Sequence, residues 1–418
     1  MIETKFKDTE IGKIPQEWEV KSLGEIGSFS KGSGVSRTES LQRGDYPVVR
    51  YGEIYTAYSD YIREFRSYIS KQTANNAKLL TYGDLLFAAS GETKEDIGKS
   101  VAFIGKMQAY AGGDIIIVSP KGEYDYRFLG YISNCKPVRD QKSTRGQGDA
   151  IVHIVTGDLA TVLIPLPPIS EQRRIADALS KVDSLIESLD KLIAKKKAIK
   201  RGAMQELLSG KKRLPGFNGE WNETKIGDVA DLYIGYAFNS DDYTSWGKFK
   251  VITISNVQNG DFTVTDCNRI SLDNIKIRPY QYLKKGDILI SMTGNVGRVC
   301  VVTQNDCVLN QRVGKIVPRN INRDFLFNKL NTQKFYNDMT ACGKGAAQLN
   351  LSNSDIMDYI IHYPIDLSEQ RAIAHVLSTM DAEIDALKQK REKYQQVKQG
   401  MMQDLLTGRI RLVDNEAD

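Results

Sequence analysis

The sequence predicts a mixed α/β (α+β) chain: two pseudo-repeated globular domains separated by two long antiparallel coiled-coil helices. Three observations predict it. The chain repeats itself from end to end, strand-like runs fill the first part of each repeat, and a long proline-free stretch with a seven-residue apolar period fills the second.

The repeat comes first, because a long internal period decides architecture before any local propensity does. Glu17-Trp18 with Leu23-Gly24-Glu25-Ile26 returns as Glu220-Trp221 with Ile226-Gly227-Asp228-Val229, an offset of 203 residues. Gly83-Asp84-Leu85-Leu86 through Gly91 returns at the same offset as Gly286-Asp287-Ile288-Leu289 through Gly294. The offset then drifts to 198: Ser170-Glu171-Gln172-Arg173 meets Ser368-Glu369-Gln370-Arg371, and Gln205-Glu206-Leu207-Leu208-Ser209-Gly210 meets Gln403-Asp404-Leu405-Leu406-Thr407-Gly408.

Within each half the texture changes at Leu166-Pro167-Pro168 or Tyr363-Pro364. Before that point come Asp114-Ile-Ile-Ile-Val, Val251-Ile-Thr-Ile and Asp287-Ile-Leu-Ile-Ser, punctuated by Gly, Asn and Asp, a pattern of strands and turns. After it come about 39 residues with no interior proline, for which Ser170 or Ser368 would serve as N-cap and Gly210 or Gly408 as stop. This divides the chain into a first domain at 1–165, a helical segment at 166–213, a second domain at 214–365, a second helical segment at 366–413 and a tail at 414–418.

The apolar spacing says what the helices bury. Ile175, Val182 and Leu189 recur every seven residues in the first, and Ile373, Met380, Leu387 and Tyr394 in the second. Such a stripe favours left-handed pairing. At 1.5 Å per residue each rod would be ~58 Å long, too long to lie across one small domain, so the helices are expected to pair with each other about a pseudo-two-fold axis.

Composition excludes more than it assigns. The 418 residues, 41% hydrophobic and 26% charged, are ordinary globular material, with no uncharged apolar run near the ~18 residues of a membrane span. Five cysteines never form Cys-x-x-Cys and no secretory leader is evident, which fits a reducing cytoplasm. His153, His362 and His375 are too few and scattered for a metal site or proton relay. A net charge of +5 is mild, so a polyanion would have to be met by local patches. Gly91 to Ser100 resembles a phosphate loop only superficially, because Thr93 stands where a glycine is needed. No hydrolase, metalloprotease or EF-hand motif occurs either, and a self-sufficient enzyme is disfavoured.

The polar, glycine-rich stretches carry more. Arg139, Gln141, Lys142, Thr144, Arg145 and Gln147 offer groups that grip phosphates and read base edges, on what the sequence suggests is a loose loop. The second half offers Lys344 and Gln348 at the matching place, with Asn295, Arg298, Gln311 and Arg312 on turns after its Gly-Asp strand. These stretches differ between halves while the helices agree, as a reader of two different half-sites requires. The basic run Lys191 to Arg213 is ambiguous between phosphate contact and a solvated or partner-docking helix face.

A family likeness rests on Pro15 to Trp18, the Gly-Asp-[Leu/Ile]-[Leu/Ile] turns, Pro-Pro-Ile-Ser-Glu-Gln-Arg-Arg-Ile-Ala at 167–176, and Gln-x-Leu-Leu-[Ser/Thr]-Gly at both helix ends. In this doubled order the motifs resemble the specificity subunit of type I restriction-modification systems, over essentially the whole chain. Tyr363-Pro364-Ile365-Asp366-Leu367 departs from the pattern, replacing the paired prolines and adding a residue. The resemblance implies two target-recognition domains that each read one word of a split DNA site, helices that set the gap, and no catalysis by the chain itself. The implied partners are double-stranded DNA, two modification subunits that use S-adenosylmethionine to methylate adenine, and two restriction subunits that use ATP and Mg as motor-nucleases. A symmetric coiled-coil adaptor with protein-binding end domains is the competing reading.

Overall fold

A computed structural model describes residues 4–148, 150–272, 275–343, 345 and 349–413. The chain forms two compact units, and the first is discontinuous: Met1–Asp190 joins Gln389–Asp418, while Lys191–Lys388 forms the second. Both long helices, Ile169–Leu207 and Leu367–Leu405, therefore start in one unit and end in the other.

The two units repeat one topology in their main sheets. In the first, a sheet runs Gly27–Lys31, Ile115–Pro120, Leu85–Ala88, Ser100–Phe103, Tyr61–Ile62, antiparallel except at its last pair. In the second, Ala230–Ile234, Val313–Pro318, Ile288–Ser291 and Val299–Val301 follow the same order without the fifth strand. The central strands are buried on both faces, which is why Leu85–Ala88 and Ile288–Ile290 read as unbroken apolar runs. A smaller sheet backs each: Ser67–Ile69, Tyr46–Val49, Tyr110–Ala111, Lys78–Leu79 in one, and Arg269–Ile270, Phe249–Ile252, Cys307–Leu309, Tyr282–Leu283 in the other. The way in and the way out are paired as well, Glu19–Ser22 with Leu163–Leu166 and Trp221–Lys225 with Ile360–Pro364.

Each unit takes the first part of one long helix and the last part of the other, antiparallel. In the first unit Arg174 meets Leu412, Asp183 meets Lys398 and Asp190 meets Arg391. In the second, Lys196 meets Glu383, Lys200 meets Asp381 and Arg213 meets Glu369. The heptad residues divide accordingly. Ile175 and Ile373 are fully buried in the two domain cores, Leu189 is buried, and Val182, Met380, Leu387 and Tyr394 are only half-buried. The helices thus pair and, beyond that expectation, their ends pack into the cores, with Leu405-Leu406 in one unit and Leu207-Leu208 in the other.

The Ser-Glu-Gln-Arg motif is where this joint is fastened. Glu171, 1% exposed, accepts hydrogen bonds from the indole of Trp18 at 3.0 Å, from Arg411 at 2.7 and 2.8 Å, and from the backbone of Leu412. Glu369, also 1% exposed, takes Arg213 at 2.5 and 2.6 Å. The guanidinium lies 5.8 Å from the Trp18 ring in one unit and 5.7 Å from Trp221 in the other. Gly408 and Gly210, both with positive φ, turn the chain toward these arginines; a Cβ on Gly408 would meet the Pro15 ring at 2.3 Å. Gln172 and Gln370 bind the turns before Tyr126–Ile132 and Arg323–Leu330, and donate to Pro167 O and Pro364 O respectively. Pro364 therefore replaces Pro167, and the added residue is absorbed between it and Gln370.

Two sequence-level expectations are corrected here. Ser170 and Ser368 are inside the helices rather than capping them: Pro168 O takes the first amides of one, and Asp366 Oδ1 accepts from Ser368 N at 2.8 Å in the other. Arg213, counted in a basic run, is occupied by Glu369.

Candidate nucleic-acid interface

Residues 139–145, expected on a loose loop, lie on a helix, Lys136–Arg145, with Pro137 in its first turn. The helical spacing sends Val138 and Lys142, one turn apart, into the core. Lys142 is 1% exposed, and its ammonium donates to Gly98 O at 2.6 Å and Ser133 O at 2.8 Å. Burial pushes its pKa down from 10.5 to about 7. Gln141 is also turned inward. Its amide donates to Leu163 O and accepts from Leu163 N, both at 2.9 Å, extending the Leu163–Leu166 strand as a strand neighbour would. Arg145 is half-buried, donating to Thr161 Oγ1 and Gln141 O. These three hold the fold, whereas Arg139, Thr144 and Gln147 remain exposed, Gln147 donating to Asp158.

Lys142→Ala should therefore destabilise the first unit by about 2–4 kcal/mol, from lost packing and two unpaired carbonyls. The sign of the pH dependence follows from the lowered pKa. Between pH about 7 and 10.5 the unfolded chain holds the extra proton, so this group makes stability rise with pH across that window. Denaturant titrations at pH 7, 8.5 and 10 should show that rise in the natural chain and a flatter profile in the variant; identical profiles would remove Lys142 from the account.

In the second unit the structure gathers three of the expected residues at one end of the sheet. Asn295 is exposed on the turn after Ile288–Ser291, its carbonyl accepting from Ser291 Oγ at 2.6 Å. Gln311 and Arg312, both exposed, lead into Val313–Pro318, with Met292 N donating to Arg312 O and Gln311 N to Tyr236 O. Arg298 is half-buried and donates to Gln258 at 2.6 Å. Lys344 and Gln348 lie outside the described residues, but the chain that follows them returns here: Gly294 N donates to Leu349 O, and Leu351 N to Met292 O.

The same end of the first unit is assembled from the same loops. Ala89 N donates to Asp114 O, Gly32 N to Ile115 O, and Ile154 N to Ala89 O. Gln147 and His153 exchange both backbone hydrogen bonds beside it. The sequence reading missed Ser90, His153, Thr293, Asn350 and Tyr236 at these edges. The signal was available: Ser90 and Thr293 both precede the glycine closing the repeated Gly-Asp motif, and His153 and Asn350 share an offset of 197 residues with the matches Val152 to Leu349, Ile154 to Leu351, Asp158 to Asp355 and Leu159 to Ile356 around them.

The sequence profile of a family described as "Type I restriction modification DNA specificity domain" matches twice, at residues 15–198 and 218–398. The chain belongs to this family. Among curated relatives of this specificity family, the type I restriction enzyme MjaVIII specificity subunit of Methanocaldococcus jannaschii is 25% identical, across 98% of this chain and 97% of its own. The putative MjaX specificity subunit of the same organism is 26% identical with the same coverage. Among solved structures, a type I restriction-modification S subunit from M. genitalium superposes with a TM-score of 0.58 at 16% identity, covering 93% of this chain and 96% of that one. A chain from a study of complex assembly and conformational transition in the type I system gives 0.55 at 18% identity, with 95% and 99% covered. The likeness at these identities is one of fold. Both specificity domains stop short of Arg411, so the arginine that closes the first joint falls outside the matched region.

Proposed function

We propose that this chain is the DNA-reading, non-catalytic subunit of a type I restriction-modification complex. The unit built on residues 1–165 reads one word of a split site and the unit built on 214–365 reads the other. The helices set the unspecified gap and dock two modification subunits, to which two restriction subunits add. S-adenosylmethionine, ATP and Mg belong to those partners, which act with it on double-stranded DNA in the cytoplasm. Methylation requires the adenine to be flipped from the stack, and a subunit that fixes the register of the duplex supplies binding energy toward that step. The observation that supports this reading most is one sheet edge built twice from matching loops with different side chains: Gln147 and His153 are exposed there in one unit, and Asn295, Gln311 and Arg312 in the other. Common scaffold with divergent contacts is what two different words demand.

The test is selection from a random DNA pool by the chain assembled with its modification subunits. Two words at one fixed spacing should be enriched, and binding should weaken steeply with salt, by ~0.9 in log-log slope per phosphate contact. Enrichment of nothing, or of one uninterrupted word, would refute the reading.

A further inference from the structure

Resting on that reading, one side chain at the sheet edge of the second unit can be matched to a base. The strands Gly27–Lys31 and Ala230–Ile234 are each followed by a glycine, Gly32 and Gly235, an offset of 203 residues apart. Both glycines lie hard against the neighbouring loop: a Cβ on Gly32 would run into Gly112 O, and one on Gly235 into the carbonyl oxygens of Leu309 and Asn310. The two loops are thereby clamped at the same step of the repeat, and the next residue is displayed, Ser33 in the first unit and Tyr236 in the second, both exposed. The scaffold is shared and the side chain is not.

Ser33 turns back on its own unit, its hydroxyl donating to Asn76 O at 3.0 Å. Tyr236 is held differently. Its amide donates to Leu309 O and its carbonyl accepts from Gln311 N, both at 2.9 Å, and it bridges in parallel to Asn310. The ring, 39% exposed, rests on Phe238 with centroids 5.0 Å apart and planes at 56°. Phe238 packs in turn on the small core of Val251, Ile270 and Val308. A lone exposed aromatic is ordinary on a protein surface. One whose backbone is pinned on both sides and whose ring is backed by a second ring is pre-organised, and loses little conformational entropy on contact.

The backing also selects the kind of contact. A ring leaning on Phe238 is not free to project as a wedge between base steps; it offers a fixed apolar surface beside the exposed side chains of Gln311 and Asn295. The apolar group that base edges present in the major groove is the thymine C5-methyl. We infer that Tyr236 is a specificity-determining residue of the second half-site, reading a thymine through that methyl group, with Phe238 as its positioning residue. The first unit, with Ser33 bound to Asn76 at the equivalent place, has no such contact there. The two words are thus read with different chemistry from one shared position of the fold.

The experiment uses the full chain with its modification subunits and sequences the DNA selected by the natural protein, Tyr236→Ala and Tyr236→Phe. Tyr236→Ala should relax a thymine position in one word and leave the other word unchanged, while Tyr236→Phe, which keeps the ring, should retain the preference. The untouched word reports that the chain is folded and assembled. Phe238→Ala should loosen the same position with a smaller effect. Deoxyuridine in place of that thymine then isolates the methyl group: the natural protein should bind about fourfold more weakly, the worth of one buried methyl, and Tyr236→Ala should not distinguish the two DNAs. Uniform weakening with both words retained, no change, or a natural protein indifferent to deoxyuridine would overturn the assignment while leaving split-site reading intact. Failure of the natural protein to select a split site would overturn both.

Discussion

A chain ending at Lys388 is expected to lose the first unit and keep the second. The removed segment supplies Leu405 and Leu406, buried in the core with Trp18, Ile175 and Leu179. At about 1.5–3 kcal/mol for each fully buried leucine, their loss alone costs about 3–6 kcal/mol. The cut also strips Arg411 from Glu171 and Lys398 from Asp60 and Asp183, two largely buried ionic clusters. Burial opposes the charge on Lys398, but Asp60 and Asp183 outweigh it and hold its pKa above the ordinary lysine value. Removing one partner of a buried pair costs about 3–5 kcal/mol. Together these, about 9–16 kcal/mol, are as large as the ~5–15 kcal/mol that keeps a domain folded. Limited proteolysis and hydrogen exchange should find residues 4–190 unprotected and 191–388 protected; an intact first unit in the shortened chain would mean that the exchanged helix ends carry no weight.

The complementary fragment, residues 1–213, should dimerise, and for the same reason. Alone it has the first unit without its closing segment, yet it carries a closing segment of its own. Met204, Leu207, Leu208 and Arg213 stand where Met402, Leu405, Leu406 and Arg411 stand one repeat later, and Lys200 stands where Lys398 does. Each copy can complete the other, Arg213 to Glu171 and Lys200 to Asp183, about a true two-fold axis. The weak point is Lys196, which matches Tyr394 and would replace a half-buried ring with a charge; micromolar protein or bound modification subunits offset it. Two identical units then present one word in opposite orientations, so the reconstituted methyltransferase should mark an interrupted palindrome. Sedimentation and modified-base sequencing give the readouts. A folded fragment that stays monomeric at high concentration, or one that marks an asymmetric site, contradicts the exchange.

The sequence carried the architecture well and the contact surface poorly, and the difference has a physical basis. Repetition and seven-residue periodicity are properties of the whole chain, so Ile175, Ile373 and the Gly-Asp strands could be placed without any partner in view. The exchange of helix ends was legible only in part: Glu171 and Arg411 are far apart in sequence, and no local rule joins a buried carboxylate to its counter-charge. Residues 139–145 misled because their polar composition resembles a loop. A helix can hide such residues once a lysine reaches two carbonyls, as Lys142 does, and a glutamine caps a strand, as Gln141 does. His153 and Asn350 were missed because the residues next to them match only in apolar character, Val152 with Leu349 and Ile154 with Leu351, while the backbone hydrogen bonds make the equivalence plain.

The discontinuous first unit also imposes an order on biosynthesis. Domains ordinarily fold as they leave the ribosome, N-terminal first, at about 5–20 residues per second. Here residues up to Asp190 wait for Gln389 and beyond, so the whole of Lys191–Lys388 must be translated in between. That delay is about 10–40 s, during which Trp18, Glu171 and the apolar face awaiting Leu405-Leu406 have no permanent cover. A ribosome that stalls, or a frameshift anywhere in the second half, releases a chain whose first recognition surface cannot be finished in cis. The fold thereby ties the first reading head to a distant stretch of the message: the polypeptide acquires it only after the helix Leu367–Leu405 has been made.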